Sequence, residues 1–255
     1  MEYMKETSSL FIGKNLVSLA EVGSTNDYLK LLAEGQELPE GTVVTTENQF
    51  AGRGQRSNTW ESEPGKNIIM SALLYPRFLS ASRQFILSQA VALAIHRFIS
   101  TILPEEKAAI KWPNDIYVND KKIAGILIES AWMASQLKNS IVGIGININQ
   151  ARFNNPSATS LKMLTQKEYD LKDLYQALFS CIEAAYLKLK SGAYDSIKNE
   201  YVSKLYQYNI ECNYIDCQTN ENFTGLITGI TDEGKLIITT QNGIKQYDMK
   251  EVQFI

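Results

Sequence analysis

Helical periodicity stops at Tyr208, and that break most constrains how this 255-residue chain can fold. Before it, strand-like runs at Leu16–Val22, 42–46, 67–74, 109–111, 116–118, 122–129 and 141–148 alternate with helical segments at 26–32, 83–102 and 171–189. From Asn209 on, short β-like runs are separated by turn signals, Asp232-Glu233-Gly234 and the hairpin pair Asn242-Gly243. Closely spaced short strands over so few residues point to a small, SH3-like barrel. The expected organisation is an α/β domain over residues 1–207 followed by a small β domain over 208–255.

Local signals refine this. Ser24 or Thr25 is placed to cap the first helix, and Asn119-Asp120 fits a two-residue turn between strands. Leu171, Leu174, Leu178, Ile182, Ala185 and Leu189 form a core stripe on the third helix. A hydrophobic fraction of 44% and a charged fraction of 21% are those of an ordinary soluble protein. A net charge of −3 gives no bulk attraction for DNA or RNA, so no nucleic-acid partner is expected. Cys212 and Cys217 have no histidine beside them, which argues for reduced thiols rather than a zinc site. His96 is the only histidine, inside an apolar helical run, so a histidine-based triad would have to use a residue better placed for packing. The N-terminus lacks the basic start and apolar core of a signal peptide, and no apolar run reaches the ~18 residues of a span. The expectation is a cytoplasmic protein with no membrane partner.

Several segments carry chemistry. Gly52-Arg53-Gly54-Gln55-Arg56 follows a strand; glycines let backbone curl around a ligand, and arginines offer donor forks to phosphate or carboxylate. A solvated turn is the alternative. Lys111-Trp112-Pro113-Asn114-Asp115 sets a cation, an exposed indole, an amide and a carboxylate around a rigid bend; a surface turn is its plain alternative. Lys121-Lys122-Ile123-Ala124-Gly125 opens the next strand, where solvated lysines are the simple reading. Gly143, Gly145 and Asn147 alternate along an apolar strand, as when a ligand or another backbone approaches one face. Ser24-Thr25-Asn26 sits at a helix N-terminus, as anion site or as cap.

Together these segments resemble the biotin protein ligases. The resemblance rests on Ser24-Thr25-Asn26, Gln49-x-Ala51-Gly52-Arg53-Gly54, Lys111-Trp-Pro-Asn-Asp115, Lys122-x-Ala124-Gly125-Ile126-Leu127-x-Glu129 and Gly143-x-Gly145-x-Asn147, in the family's order and spacing. It implies a mixed sheet with flanking helices, the α/β fold shared with class II aminoacyl-tRNA synthetases, and then an SH3-like β-barrel. It implies an enzyme that joins biotin to ATP as biotinyl-5′-AMP, with Mg²⁺ held partly by the phosphates. The biotinyl group then passes to a lysine of the biotin carboxyl carrier protein of a carboxylase.

Residue by residue, the match assigns Arg53 to the carboxylate and phosphate region and Lys122 to the α-phosphate in both steps. Asp115 receives the substrate lysine, with Asn114 beside it. Ser24, Thr25, Asn26 and Gln49 face biotin's ring system, while Gly52, Gly54, Gly125, Gly143 and Gly145 let the ligand lie against backbone. Gln55, Arg56, Lys111 and Asn147 fall on the adenylate side. Trp60 is a candidate lid, and Phe153, in the loop 151–160, a candidate stacking partner for adenine, the alternative being an ordinary polar connection. Gln55 departs from the family, where many members carry a second arginine associated with holding the intermediate; Arg56 is a partial substitute. Only 23 residues precede the Ser-Thr-Asn motif, against about sixty for the winged-helix domain of relatives that repress transcription, so no operator binding is expected. Relatives dimerise through sheet edges, which leaves a homodimer open here.

Overall fold

The computed structural model describes residues 9–55, 58–133 and 136–255. Seven strands form one mixed sheet: β1 (Leu16–Val22), β2 (Val43–Gln49), β3 (Ile68–Leu74), β4 (Ala108–Lys111), β5 (Asp115–Val118), β6 (Lys121–Met133) and β7 (Gln136–Ile146). Their spatial order is β1-β2-β3-β7-β6-β5-β4. Only β1 and β2 run parallel, joined by helix α1 (Thr25–Gly35); every other neighbouring pair is antiparallel. A second, antiparallel sheet of β8 (Glu211–Asp216), β9 (Glu221–Ile230), β10 (Leu236–Thr240), β11 (Gly243–Tyr247) and β12 (Val252–Phe254) makes the small SH3-like unit.

Side-chain parity divides the large sheet. Ala72, Leu74, Val142, Ile144, Ala124 and Ile126 face the main core with helices α2 (Phe85–Ile102) and α4 (Leu171–Lys190). Their immediate neighbours Leu73 and Ile141 join Leu29 of α1 in a separate cluster. Successive strand residues point to opposite faces, so these two clusters lie on opposite sides of the sheet. Gly143 and Gly145 share the parity of Ile141, which puts the glycines on the α1 side and Ile144, between them, in the core.

The expected strands and three helices are all present, with differences that have local causes. Ser24, not Thr25, caps α1, accepting from Asp27 N at 3.4 Å. Asn119 and Asp120 take φ of 49° and 63°, the left-handed pair that closes a tight hairpin. The later hairpin turns one residue early: Thr240 pairs with Gly243, so Gln241 and Asn242 form the loop and Gly243 takes φ +119°. β6 and β7 pair well past the expected ends, through Met133 and Gln136, where Ala131, Trp132 and Met133 are exposed and, among the described residues, Leu137 alone is buried, too little to mark a strand face. β7 stops at Ile146 rather than residue 148 because Asn67 Oδ1 takes the Ile148 N–H at 3.0 Å. Two helices carried no legible period. α3 (Leu161–Thr165) is a single turn capped by Ser160, and α5 (Tyr194–Ser203) buries only Ile197 and Tyr201.

One composition reading fails. The stretch Ala81–Ile102 is long and apolar enough to cross a membrane, with mean hydropathy 1.5. It contains the core helix, and 67% of its most apolar 18-residue window is buried against protein. His96 lies within it; burial holds its imidazole below the usual range, and Nε2 sits 3.1 Å from Ala108 O.

The two sheets meet around Trp112. The sequence suggested an exposed indole, but Trp112 is 6% exposed and its Nε1 donates to Gly234 O of the small unit at 2.9 Å. Polar neighbours in sequence misled because they belong to a strand end whose tryptophan turns the other way. Lys111, beside it, places its ammonium 4.7 Å from the Tyr117 ring, 4.9 Å from Phe254 and 5.9 Å from Tyr206. Burial lowers the Lys111 ammonium, and such cation–ring contacts recover part of the lost hydration.

Candidate active site

A cleft of about 500 Å³ opens on the α1 side of the sheet. Its floor is the face on which β6 and β7 place Gly125 and Gly145, its end wall is the N-terminus of α1, and its rim is the loop after β2. Of the residues singled out in the sequence, Ser24, Thr25, Asn26, Gln49, Arg53, Gly54, Gln55, Trp60, Asn114, Asp115, Lys122, Gly125, Gly143 and Gly145 line it. Gly52, Lys111, Asn147 and Phe153 do not, and Arg56 lies outside the described residues.

The rim loop folds back on itself. Trp60 N donates to Gly52 O at 2.9 Å, Gly54 N donates to Asn58 O at 2.7 Å, and Arg53 bridges Thr59. A side chain at Gly52 would meet Trp60 O at 2.7 Å, so glycine is required at this neck by close approach of backbone. The Trp60 ring rests on the floor: a Cβ at Gly145 would lie 2.5 Å from it, and one at Gly125 3.0 Å. Its indole N–H is buried without a partner. At Gly143 the approaching group is Asn26. The close contacts foreseen at the strand glycines are thus filled by the protein's own side chains.

A polar network runs along the end wall. Gln49 Oε1 accepts from Thr25 N (2.9 Å) and from Thr25 Oγ1 (3.2 Å). Ser71 Oγ lies 2.7 Å from Thr25 Oγ1 and 2.6 Å from Asn26 Oδ1. Asn26 Nδ2 donates to Glu129 Oε2 at 2.7 Å. Glu129 in turn takes Arg53 through both oxygens, at 3.1 and 2.9 Å, and Asp27 takes the same guanidinium at 2.6 Å. The hydrogen bond to Glu129, above all, holds Arg53 higher than its usual value. Ser71 and Asp27 carried no signal: one is a small residue in an apolar strand, the other an ordinary first-turn acid. Glu129 stood in a quoted motif without a role.

Opposite, Lys122 Nζ lies 2.8 Å from Asp115 Oδ1. Asp115 shows 22% of its side chain but is otherwise ringed by protein. Burial pushes its carboxyl up, and Lys122 and then Lys111 pull it back. Asn114 Nδ2 ties this hairpin to Ile126 O at 2.6 Å. The segment after β7 closes on the same point, Lys122 N donating to Ser157 O (2.8 Å) and Thr159 N to Lys122 O (2.9 Å). That segment sends Asn155 into the cleft lining, while Phe153 is half-buried outside it. Asn147 is buried under it, donating to Thr159 O at 2.9 Å with its Oδ1 unpartnered. Among the described residues, no group of three or more His, Cys, Asp or Glu side chains is placed to hold a metal ion.

The cleft therefore joins a hydrogen-bonding wall, a rim arginine held by two carboxylates and a lysine–carboxylate pair whose acid is shifted toward neutrality. Such a set can bind an amphipathic acid, neutralise phosphate and take a proton from an incoming amine.

Comparison with known proteins gives a consistent picture. Residues 19–147 match the biotin/lipoate A/B protein ligase family, and residues 209–254 match the biotin protein ligase C terminal domain. The chain is 31% identical over 245 residues to the biotin--[acetyl-CoA-carboxylase] ligase of Paracoccus denitrificans, covering 92% of this chain and 99% of that protein. It is 33% identical over 253 residues to the bifunctional ligase/repressor BirA of Bacillus subtilis, covering 95% of this chain and 74% of that protein. The structure of the Aquifex aeolicus biotin protein ligase in complex with biotin and ATP superposes with a TM-score of 0.78 at 28% identity, covering 95% and 100% of the two chains.

Proposed function

The chain belongs to the biotin/lipoate A/B protein ligase family, and we propose that it activates biotin with ATP as biotinyl-5′-AMP and transfers the biotinyl group to a lysine of a biotin carboxyl carrier protein. The observation that carries this reading is the convergence, in one cleft, of the Arg53 loop, the Lys122–Asp115 pair and the Thr25–Gln49–Ser71 wall. The biotin protein ligase C terminal domain at 209–254 favours biotin over lipoate.

In the first step biotin's carboxylate oxygen attacks the α-phosphorus of MgATP, and pyrophosphate leaves with the bonding pair. Two anions must meet, so Arg53 and Lys122 act by neutralising charge as it concentrates on the α-phosphate. Mg²⁺ bound with the nucleotide would supply further neutralisation of the phosphates beside Arg53 and Lys122. Biotin's polar ureido head needs hydrogen bonds when buried, and the Gln49–Thr25–Ser71 wall supplies donors and acceptors for it. In the second step a carrier lysine attacks the acyl carbon, the acyl–phosphate bond breaks, and AMP departs. Asp115 takes the amine's proton, and Lys122 stabilises the departing phosphate.

Residues 1–207 carry this chemistry in our reading, and 208–255 dock on them through Trp112 and the Lys111 cage. A net charge of −3 gives no electrostatic support for operator binding, and none is assigned. Incubation with a carrier domain, biotin and MgATP should add one biotin mass to the carrier, and lipoate should not replace it. Lys122→Ala should abolish the transfer. An intact transfer in that variant, or labelling without ATP, refutes the assignment.

A further inference from the structure

Every cation among the described residues lining the cleft is paired with a carboxylate of the protein itself. Lys122 faces Asp115, and Arg53 faces both Asp27 and Glu129. Arg53 contributes +1 against −1 from each acid, so that cluster is formally −1. Its second terminal nitrogen serves Asp27 at 2.6 Å and Glu129 at 2.9 Å together. Carboxylate and phosphate oxygens suit the same guanidinium donors, so a phosphate reaching Arg53 must displace at least one of these acids. The two acids differ. Glu129 also accepts from buried Asn26, whereas the Asp27 carboxylate accepts from Arg53 at an exposed position in the first turn of α1. All three side chains are 40 to 55% exposed, so the pairing is weak enough to exchange.

We infer that Asp27 is a positioning residue that latches Arg53 in competition with substrate phosphate, and so sets the affinity of the rim loop for the polyphosphate. The inference rests on the proposed reading of the cleft as the MgATP site. Glu129 holds the guanidinium over the cleft, and Asp27 is the side chain that yields. Removing Asp27 leaves Arg53 oriented by Glu129, with one N–H of the shared terminal nitrogen freed.

The test is calorimetric titration of the magnesium complex of α,β-methylene-ATP, which cannot be adenylated onto biotin, into biotin-saturated protein. Asp27→Asn should tighten binding by up to about fivefold, the ceiling for an exposed pair. Asp27→Glu should restore the original affinity. In an Arg53→Gln background, Asp27→Asn should give no gain, since the latch then has nothing to hold. Unchanged or weaker binding by Asp27→Asn overturns the latch, as does an equal gain in the Arg53→Gln background, which would mark a general field effect. A wild-type protein that fails to bind the analogue overturns the reading of the cleft and the latch with it; one that binds while Asp27→Asn is silent overturns the latch alone.

Discussion

Gly143→Ala should cost both stability and biotin affinity, through one side chain. A Cβ built at Gly143 lies 3.0 Å from Asn26 Cγ and 3.1 Å from Nδ2, and closer still to Oδ1. Relief requires the amide to retreat by about 1 Å, given carbon contact distances of ~3.5–4.0 Å. Asn26 has little freedom to do so. Ser71 Oγ holds its oxygen at 2.6 Å, and Glu129 and Leu127 O hold its nitrogen at 2.7 and 3.3 Å. A 1 Å retreat takes the Ser71 bond beyond hydrogen-bonding range, a loss of about 1 kcal/mol, and overpacking adds at least about another 1 kcal/mol. About 2 kcal/mol lowers the Tm of a chain this size by roughly 4–8 °C. Scanning calorimetry measures this, and titration with biotin should show weakened binding, because Ser71 also contacts Thr25. The control is Asn26→Ala. In that background the added methyl should be nearly neutral, since the group it strikes is gone. An unchanged Tm for Gly143→Ala, or an equal loss with and without Asn26, refutes the reasoning.

Asp115 gives a pH dependence. Burial raises its carboxyl, so the ionised base accumulates only as pH rises through that raised value, and transfer from preformed biotinyl-AMP should fall on acidification earlier than for an ordinary carboxylate. Single-turnover rates against pH check this; Asp115→Asn should remove the acid limb together with most of the rate. The same shift favours the protonated form in the folded state, so its contribution to stability is present below the unfolded pKa and is lost as pH rises through the folded one. Gln55→Arg adds a cation to the cleft lining beside Arg53 and should slow escape of biotinyl-AMP, read by chase of labelled adenylate; an unchanged release rate refutes it. Trp112→Phe strands Gly234 O without its donor, a loss of about 1–3 kcal/mol. It should lower Tm by several degrees while biotin binding holds, since Trp112 itself does not line the cleft.

The sequence made the cleft legible wherever a function needs an unusual residue. Glycines at 143 and 145 in an otherwise apolar strand have no packing value, and parity alone carries them to the face opposite Val142 and Ile144. Arg53 between two glycines likewise stands out, whereas Lys122 at a strand start reads as an ordinary solvated lysine and is marked only by the family motif around it. Ser71 is hidden for the opposite reason. A small hydroxyl between Met70 and Ala72 is an ordinary strand residue until its partners Thr25 and Asn26, brought there from a remote helix end, are known. Trp112 and Lys111 are hidden for another reason: their motif reads as one surface, but residues 112–114 are a turn between β4 and β5, so its two ends meet different surroundings. The same pentapeptide therefore serves two purposes, Asn114 and Asp115 facing the cleft while Lys111 and Trp112 grip the small unit.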